Sequence, residues 1–230
     1  MSSVTREILE NKLKVLSESF QKFLYIDDSD FMKGMADNNI SGDDIRKYQF
    51  LVHIKYLTDK KTGLFFHGWT FNGRNNSAEA LWGRGNSWVT AAIPELFRMI
   101  KDIPAPAAGY LRNSLSCQVK ALVKYQEDSG LWHTLIDDKT SYTETSATCG
   151  FGYGILAAVY EGLLPAVFKD SAMKAVSGVL DNIDEDGTVE GVSYGTPMGR
   201  ESKDFYKNIP IRPMPYGQAM AMLLLLEAEE

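Results

Sequence analysis

The sequence predicts an all-α fold: helical hairpins stacked into a toroid, with room in 230 residues for about four of them. Apolar residues recur at the three-to-four spacing of amphipathic helices along most of the chain. Extended-looking stretches are few and short. They belong to a repeat, in which Lys60-Lys-Thr-Gly63-Leu-Phe-Phe-His67, Glu127-Asp-Ser-Gly130-Leu-Trp-His133 and Glu185-Asp-Gly187-Thr-Val share one layout: polar or acidic residues, a glycine, a β-prone segment. Each copy follows one helix and precedes another. The glycines lie 67 and 57 residues apart, an interval that two helices and their links fill. Hairpins stacked at that period close into a ring with one funnel-shaped mouth, which puts the glycine turns on one rim and His67 near His133. Six hairpins would need on the order of 360 residues, so the ring is expected to be open, or its first hairpins to lie before residue 1.

The elements follow in order. Residues 4–24 read as a helix with Ile8, Leu13, Leu16, Phe20 and Leu24 on one face and Ser2, Ser3 or Thr5 as its cap. Asp27, Asp28 and Asp30 then precede Phe31-Met32, either as acids at a helix N-terminus, where the dipole favours them, or as functional carboxylates. Residues 42–57 form a second helix through Ile45, Tyr48, Phe50, Leu51 and Ile54. Residues 78–82 and 86–99 read as helical, with Pro94 tolerated or kinking the second piece. Residues 103–109 read as a loop, 110–126 as a helix and 131–135 as extended. Residues 143–161 form a small-residue helix. Its Gly150, Gly152 and Gly154 each disfavour a helix by about 1 kcal/mol relative to alanine, which implies close approach by a neighbouring helix or a ligand. Pro165 opens a helix ending near residue 183. Residues 188–193 read as extended, 195–215 as loop-rich and 216–229 as the last helix.

Composition narrows the function. A net charge of −6 without a basic cluster argues against nucleic acid. It also disfavours a polyanionic polymer, though not a small uronide in a locally basic pocket. The segment Met1–Lys12 has no apolar core of a signal peptide, and Ala219–Ala228, the longest apolar run, is too short for a membrane span. A cytoplasmic protein without a membrane partner is expected. Cys117 and Cys149 suit two free thiols, and no Cys/His cluster suggests a metal or other cofactor.

Residues 63–88 carry the site chemistry. They hold three of the four tryptophans, Trp69, Trp82 and Trp88, with His67, Arg74 and Arg84 among glycines and asparagines. Aromatic faces beside fixed polar groups suit a concave sugar site. Trp82 and Trp88 are six apart and do not share a helix face, so at least one is expected in the pocket. Arg84, between two glycines and bracketed by tryptophans, is either functional or part of a buried ion pair. His67 and His133 either line the pocket or end turns, and Glu144 either caps its helix or acts in the site. Tyr216, after Pro215, is a candidate pocket wall, and Arg74 and Asn75 suit loop structure.

His67-Gly-Trp69, Trp82-Gly-Arg84-Gly-Asn86-Ser-Trp88, Gly130-Leu-Trp-His133 and Glu144-Thr-Ser-Ala-Thr-Cys-Gly-Phe-Gly-Tyr-Gly-Ile155 together resemble the unsaturated rhamnogalacturonyl hydrolases of glycoside hydrolase family 105. The family 88 unsaturated glucuronyl hydrolases are similar. The resemblance runs from about Tyr25 to the C-terminus and implies an (α/α)6-barrel, which agrees with the repeat. Members begin well upstream of this region, which implies missing N-terminal hairpins. It further implies action on the unsaturated uronic acid that lyases leave at the non-reducing end of pectin or rhamnogalacturonan oligosaccharides. An acid protonates the C4=C5 vinyl ether, water adds at C5, and the hemiketal opens to release the sugar. One carboxyl group with a tuned pKa can serve both steps.

By position, Asp28 matches the acid ahead of Phe/Tyr-Met beside the catalytic group, with Asp27 one register away. His67 and Trp69 match His-x-Trp. Arg84 is implied to hold the uronate carboxylate, Trp82 or Trp88 to stack on a sugar, and Asn86 and His133 to line the site. The resemblance places a catalytic aspartate directly after Trp69, where this chain has Thr70. The position two further on, acidic in some relatives, is Asn72. Asp28, Asp27 or Glu144 would then supply the acid. Otherwise the chain binds carbohydrate without turnover, or is a structural remnant whose open edge is buried in a partner or a second copy.

Overall fold

The structure, a computed structural model, describes residues 42–229. The expected helix over residues 4–24 and the acids Asp27 and Asp28 lie outside the described residues. Six α-helices follow: α1 Gly42–Leu57, α2 Gly83–Met99, α3 Ala105–Tyr125, α4 Thr145–Tyr160, α5 Lys169–Leu180 and α6 Pro215–Ala228. Residues from Arg46 onward pack as one unit. Within it α4 lies between α2 and α6, α5 packs on α4 and α6, and α3 packs on α2. The all-α expectation holds. Among the described residues the extended stretches make only isolated bridges such as Thr58–Phe65, His133–Thr143 and Ile183–Val189.

The repeat of glycine turns (the rim turns) is present. Gly63, Gly130 and Gly187 have φ of 83°, 88° and 85°, the left-handed region that glycine occupies without penalty. Each turn closes with the same pair of backbone bonds. Gly63 N–H donates to Asp59 and Asp59 N–H to Leu64; Gly130 to Glu127 and Glu127 to Leu131; Gly187 to Asp184 and Asp184 to Thr188. Their cover differs. A Cβ on Gly63 would lie 2.9 Å from the Cys117 Cβ on α3, and one on Gly130 would lie 2.1 Å from the Lys174 carbonyl oxygen on α5. Nothing lies within 4 Å of the corresponding point at Gly187.

Three corrections concern element boundaries. Residues 78–82 are not helical, because Ser77 and Glu79 have φ of 55° and 52° and Trp82 bridges to Leu135 before capping α2. The expected loop at 103–109 is helical from Ala105: Pro104 sits at the N-cap and Pro106 in the first turn, where a missing N–H is harmless and the fixed φ suits a helix. The helix expected from Pro165 is a short 3-10 turn, Ala166–Phe168, running into α5.

The α4 glycines answer to neighbouring helices. A Cβ on Gly150 would lie 2.7 Å from Ser87 Oγ and 2.8 Å from Met220 Cε, and one on Gly152 would lie 2.8 Å from Leu224 Cδ1. Gly154 meets the backbone of α2, with Thr90 O 2.5 Å from the Cβ position. Pro94 lies within α2 and has no N–H to offer the carbonyl four residues back, that of Thr90. The Gly154 Cα–H faces that freed oxygen, a contact that recurs at close helix pairs. Ile93, Leu96, Leu115, Val119, Ile155 and Leu224 form the main core. Trp132 of the second turn is fully buried, its indole N–H bonded to the Leu122 carbonyl at 2.8 Å. Both cysteines are free thiols. Among the described residues, no helix is long and apolar enough to cross a membrane.

Candidate active site

The first rim turn is fastened to α2 by Asn86. Its Oδ1 accepts the Phe65 N–H and its Nδ2 donates to the Phe65 carbonyl, both at 2.7 Å, so the side chain stands in for a strand neighbour. The second Nδ2 hydrogen reaches the Trp82 carbonyl at 3.0 Å, and Gln118 Nε2 donates to Oδ1 at 3.3 Å. All four hydrogen-bonding positions of the amide are thus filled. Asn86, expected to line the site, is 1% exposed and acts here as a staple.

Arg84 and Glu144 form a buried clamp between the N-termini of α2 and α4. Arg84 is 5% exposed and Glu144 is fully buried, 3.6 Å from Nη1 to Oε1. Arg84 Nη1 donates to the Ser193 carbonyl at 2.8 Å, Ser193 Oγ at 3.0 Å and Ser146 Oγ at 3.3 Å. Nη2 donates to the Tyr194 carbonyl at 3.2 Å and Thr196 Oγ1 at 3.1 Å. The guanidinium also lies over the Trp82 and Tyr216 rings, 4.9 and 4.6 Å from their centroids. Glu144 accepts from Ala147 N–H at 2.5 Å as the α4 N-cap, from Ser193 N–H at 2.8 Å and from Ser146 Oγ. Of the two roles open to Arg84, the structure displays the buried ion pair. Tyr216 joins the clamp, its hydroxyl donating to the Ser193 carbonyl, and burial raises its pKa.

His67 packs tilted against Trp82, with ring centroids 4.1 Å apart and planes 42° apart, and its Nδ1 lies 2.5 Å from the Tyr206 hydroxyl. That hydroxyl already accepts the Gly199 N–H at 2.9 Å. Tyr206 is fully buried, and His67 Nδ1 is the acceptor in reach of its proton. This leaves His67 as the tautomer with N–H at Nε2. Burial, and then the positive charge of Arg84, lower the His67 pKa to about 4. Burial pushes the Tyr206 phenol up to about 12. At neutral pH both groups are uncharged.

The His67 shift predicts an acid sensitivity. The unfolded imidazole titrates near 6.5. Between about pH 6.5 and about pH 4 the unfolded chain binds a proton that the folded chain does not. Stability should therefore fall as pH drops through that window and level off below it. Urea denaturation at stepped pH is expected to show this loss in the wild type, and His67→Gln to lack it.

Beyond His67 the chain makes a cavity of about 460 Å³, lined by Trp69, Thr70, Asn72, Asn75, Ser77, Met198 and Arg200. Thr70 and Asn75 bridge the neck of a tight loop, and Thr70 Oγ1 donates to the Asn72 carbonyl at 3.1 Å. Tyr56, Trp69 and Phe71 form an aromatic cluster beside it, centroids 5.2 to 6.3 Å apart, with Phe71 69% exposed. The glycine of His-Gly-Trp has a steric reason: Met198 Sδ sits 1.7 Å from where a Gly68 Cβ would be. The Trp69 indole N–H is enclosed without a partner.

Other expected residues lie elsewhere. Trp88 packs against the main core. Trp82 is buried with Ala80, Leu135 and Tyr206. His133 bonds the Ser141 carbonyl through Nδ1 at 2.5 Å and points Nε2 to Glu127 Oε1 at 3.4 Å, so it shares no partner with His67. Tyr206, Ser193, Met198 and Arg200 were not expected. They come from the segment between α5 and α6, whose length is itself a signal, since helix connections usually take 2–8 residues and longer ones are usually functional. No described group of three or more His, Cys, Asp or Glu side chains is placed to hold a metal.

The profile of glycosyl hydrolase family 88 matches residues 35–230. The chain is 31% identical over 180 residues to the unsaturated rhamnogalacturonyl hydrolase YesR of Bacillus subtilis (strain 168), covering 78% of this chain and 50% of that protein. It is 30% identical over 153 residues to the unsaturated 3S-rhamnoglycuronyl hydrolase of Alteromonas sp. (strain LOR), covering 64% of this chain and 36% of the relative. The chain thus spans half the length of these curated relatives or less. Among solved structures, a possible member of family GH105 from Salmonella enterica serovar Paratyphi A superposes with a TM-score of 0.77 at 48% identity, over 79% of this chain and 48% of the other. The unsaturated glucuronyl hydrolase of Bacillus sp. GL1, at 16% identity and a TM-score of 0.60 over 79% of this chain and 50% of the other, shares the fold. With a profile that covers most of its residues, relatives of this kind and the hairpin fold that carries the shared motifs, the chain belongs to glycosyl hydrolase family 88, with family 105 rhamnogalacturonyl hydrolases among its kin.

Proposed function

We propose that this chain forms part of a glycoside hydrolase that releases an unsaturated uronic acid from lyase-generated pectin or rhamnogalacturonan oligosaccharides by hydrating the C4=C5 bond. The observation that carries the proposal is the cavity beside His67-Gly-Trp69. It offers an aromatic face, hydroxyl and amide groups and a guanidinium, with no carboxylate among the described residues that line it. That set fits a sugar bearing one negative charge. Trp69 is the stacking surface, and Thr70 and the loop asparagines meet ring hydroxyls. His67, neutral at pH 7, orients a substrate oxygen through its Nε2–H. Glu144 is engaged on every side, so the acid is assigned to Asp28, with Asp27 as the neighbouring choice. Its carboxyl gives a proton to C4 and takes one from the water that adds at C5. The hemiketal formed there opens, and the leaving sugar departs as an alcohol.

The absence of a carboxylate among the described lining residues also favours a second reading, a carbohydrate-binding homologue without turnover. One assay separates the two. Adding the protein to a lyase-generated unsaturated disaccharide is expected to bleach the ultraviolet absorbance of the double bond, and Asp28→Asn to stop the bleaching while calorimetry still detects binding. Binding by the wild type without bleaching at any protein concentration would leave the second reading. Neither binding nor bleaching would sink both.

A further inference from the structure

We propose that Arg200 reads the carboxylate of the bound sugar acid, and that Arg84 does not. The proposal rests on the uronide-binding reading of the cavity. Both terminal nitrogens of Arg84 are engaged with Ser193, Tyr194, Thr196 and Ser146, and Glu144 already neutralises it. A ligand carboxylate would have to displace these bonds and approach a fully buried Glu144 of like charge. Such an exchange gains little, because the bonds lost and made are of the same kind.

Arg200 is in the opposite situation. It is exposed, lines the cavity and has no hydrogen-bond or ion-pair partner among the described residues. In a chain of net charge −6, the one charged side chain among the described residues that line the cavity is this cation. The backbone beneath Arg200 is held on its N-terminal side. Gly199 donates its N–H to Tyr206 and lies so flat on that ring that a Cβ would fall 2.9 Å from Cε2, while Met198 packs over Gly68. Through Tyr206 this strap is tied to His67. The guanidinium is therefore free at its tip and positioned at its base. Its planar fork fits a carboxylate, and a ring stacked on Trp69 would carry that group as its one charge. Ser77, which also lines the cavity, has φ of 55°, in the left-handed region that residues with a Cβ seldom occupy.

Calorimetry with the unsaturated uronyl disaccharide and its carboxyl-reduced counterpart tests this. The wild type is expected to prefer the charged sugar. Arg200→Gln should weaken binding of the charged sugar about ten- to hundredfold, the range for one charge-assisted hydrogen-bonding group, and erase the preference. Arg200→Lys should keep part of it. Added salt should weaken wild-type binding and leave Arg200→Gln nearly unaffected. The melting temperature of Arg200→Gln should equal that of the wild type, since Arg200 makes no bond to a described residue. If Arg200→Gln binds the uronide as tightly as the wild type, the assignment to Arg200 is overturned and the uronide site stands. If the wild type binds neither sugar, the site reading itself fails and takes this assignment with it.

Discussion

Gly130→Ala is expected to destabilise the protein by about 2–5 kcal/mol, the sum of two independent effects. The first is conformational. At φ 88° an alanine Cβ meets its own backbone, which costs about 1–2 kcal/mol in the left-handed region. The second is steric. The new methyl would stand 2.1 Å from the Lys174 carbonyl oxygen and 2.8 Å from its carbonyl carbon. These are backbone atoms of α5, which cannot rotate away as a side chain would. Overpacking of this kind costs about 1–3 kcal/mol and more when the obstacle is rigid. In a domain of this size that lowers the melting temperature by on the order of 10 °C. Gly187→Ala is the internal control. Its φ of 85° is nearly the same and its Cβ meets nothing within 4 Å, so only the first effect, about 1–2 kcal/mol, should remain. Equal losses for the two variants would mean that the second rim turn does not rest on α5.

Arg84→Ala is expected to cost about 3–5 kcal/mol, because it leaves the buried Glu144 charge without a counter-ion. The Tyr194 carbonyl loses a donor as well, and the Trp82 and Tyr216 rings lose the plane between them. Glu144→Gln alone should cost less, since Gln leaves no buried charge and keeps an acceptor for one of the Ala147 and Ser193 amides, which bond different carboxylate oxygens. The double variant Arg84→Met/Glu144→Gln should recover part of the Arg84→Ala loss, as replacing a buried pair is usually milder than breaking it. A denaturation cycle across these variants measures the coupling. Additive losses would show that the two groups do not interact as the 3.6 Å separation implies. One practical point follows for the sugar site: loss of ligand binding in Arg84→Ala says little about uronate recognition unless the melting curve is measured alongside.

The parts of this molecule that were legible in the sequence are those whose cause is local. A glycine before a β-prone pair, after a helix, needs a positive φ wherever it lies, so all three rim turns could be read from residues alone. The small residues of α4 announced close neighbours for the same reason, since a missing Cβ is a property of the residue itself. Helix boundaries slipped where local chemistry was ambiguous. The stretch around Ala80 looks apolar and helical, but Ser77 and Glu79 hold backbone angles that no periodicity reveals. Pro104 and Pro106 suggested a loop and instead began a helix.

The site was legible as a neighbourhood and not as an arrangement. Trp69 and Trp88 are equally aromatic in the sequence, yet one lines the cavity and the other packs on the core. Arg84 meets its hydrogen-bond partners 62 to 112 residues away, and His67 meets Tyr206 across 139. Contacts of that range leave no local pattern, which is why Met198, Gly199 and Arg200 were absent from the expected set.

The uneven cover of the rim glycines also bears on motion. Gly63 rests on α3 and Gly130 on α5, so opening either turn requires a neighbouring helix to yield. The Gly187 turn rests on nothing within reach of its Cβ, and Asp184, Glu185 and Asp186 around it are exposed. It is held to α6 by one side chain, Gln218, which donates to the Gly187 carbonyl at 2.6 Å and accepts the Val189 N–H at 3.2 Å. Opening the third turn therefore needs the rotation of a side chain rather than the displacement of a helix backbone, and local excursions are expected to begin there before they reach the turn that precedes Trp69.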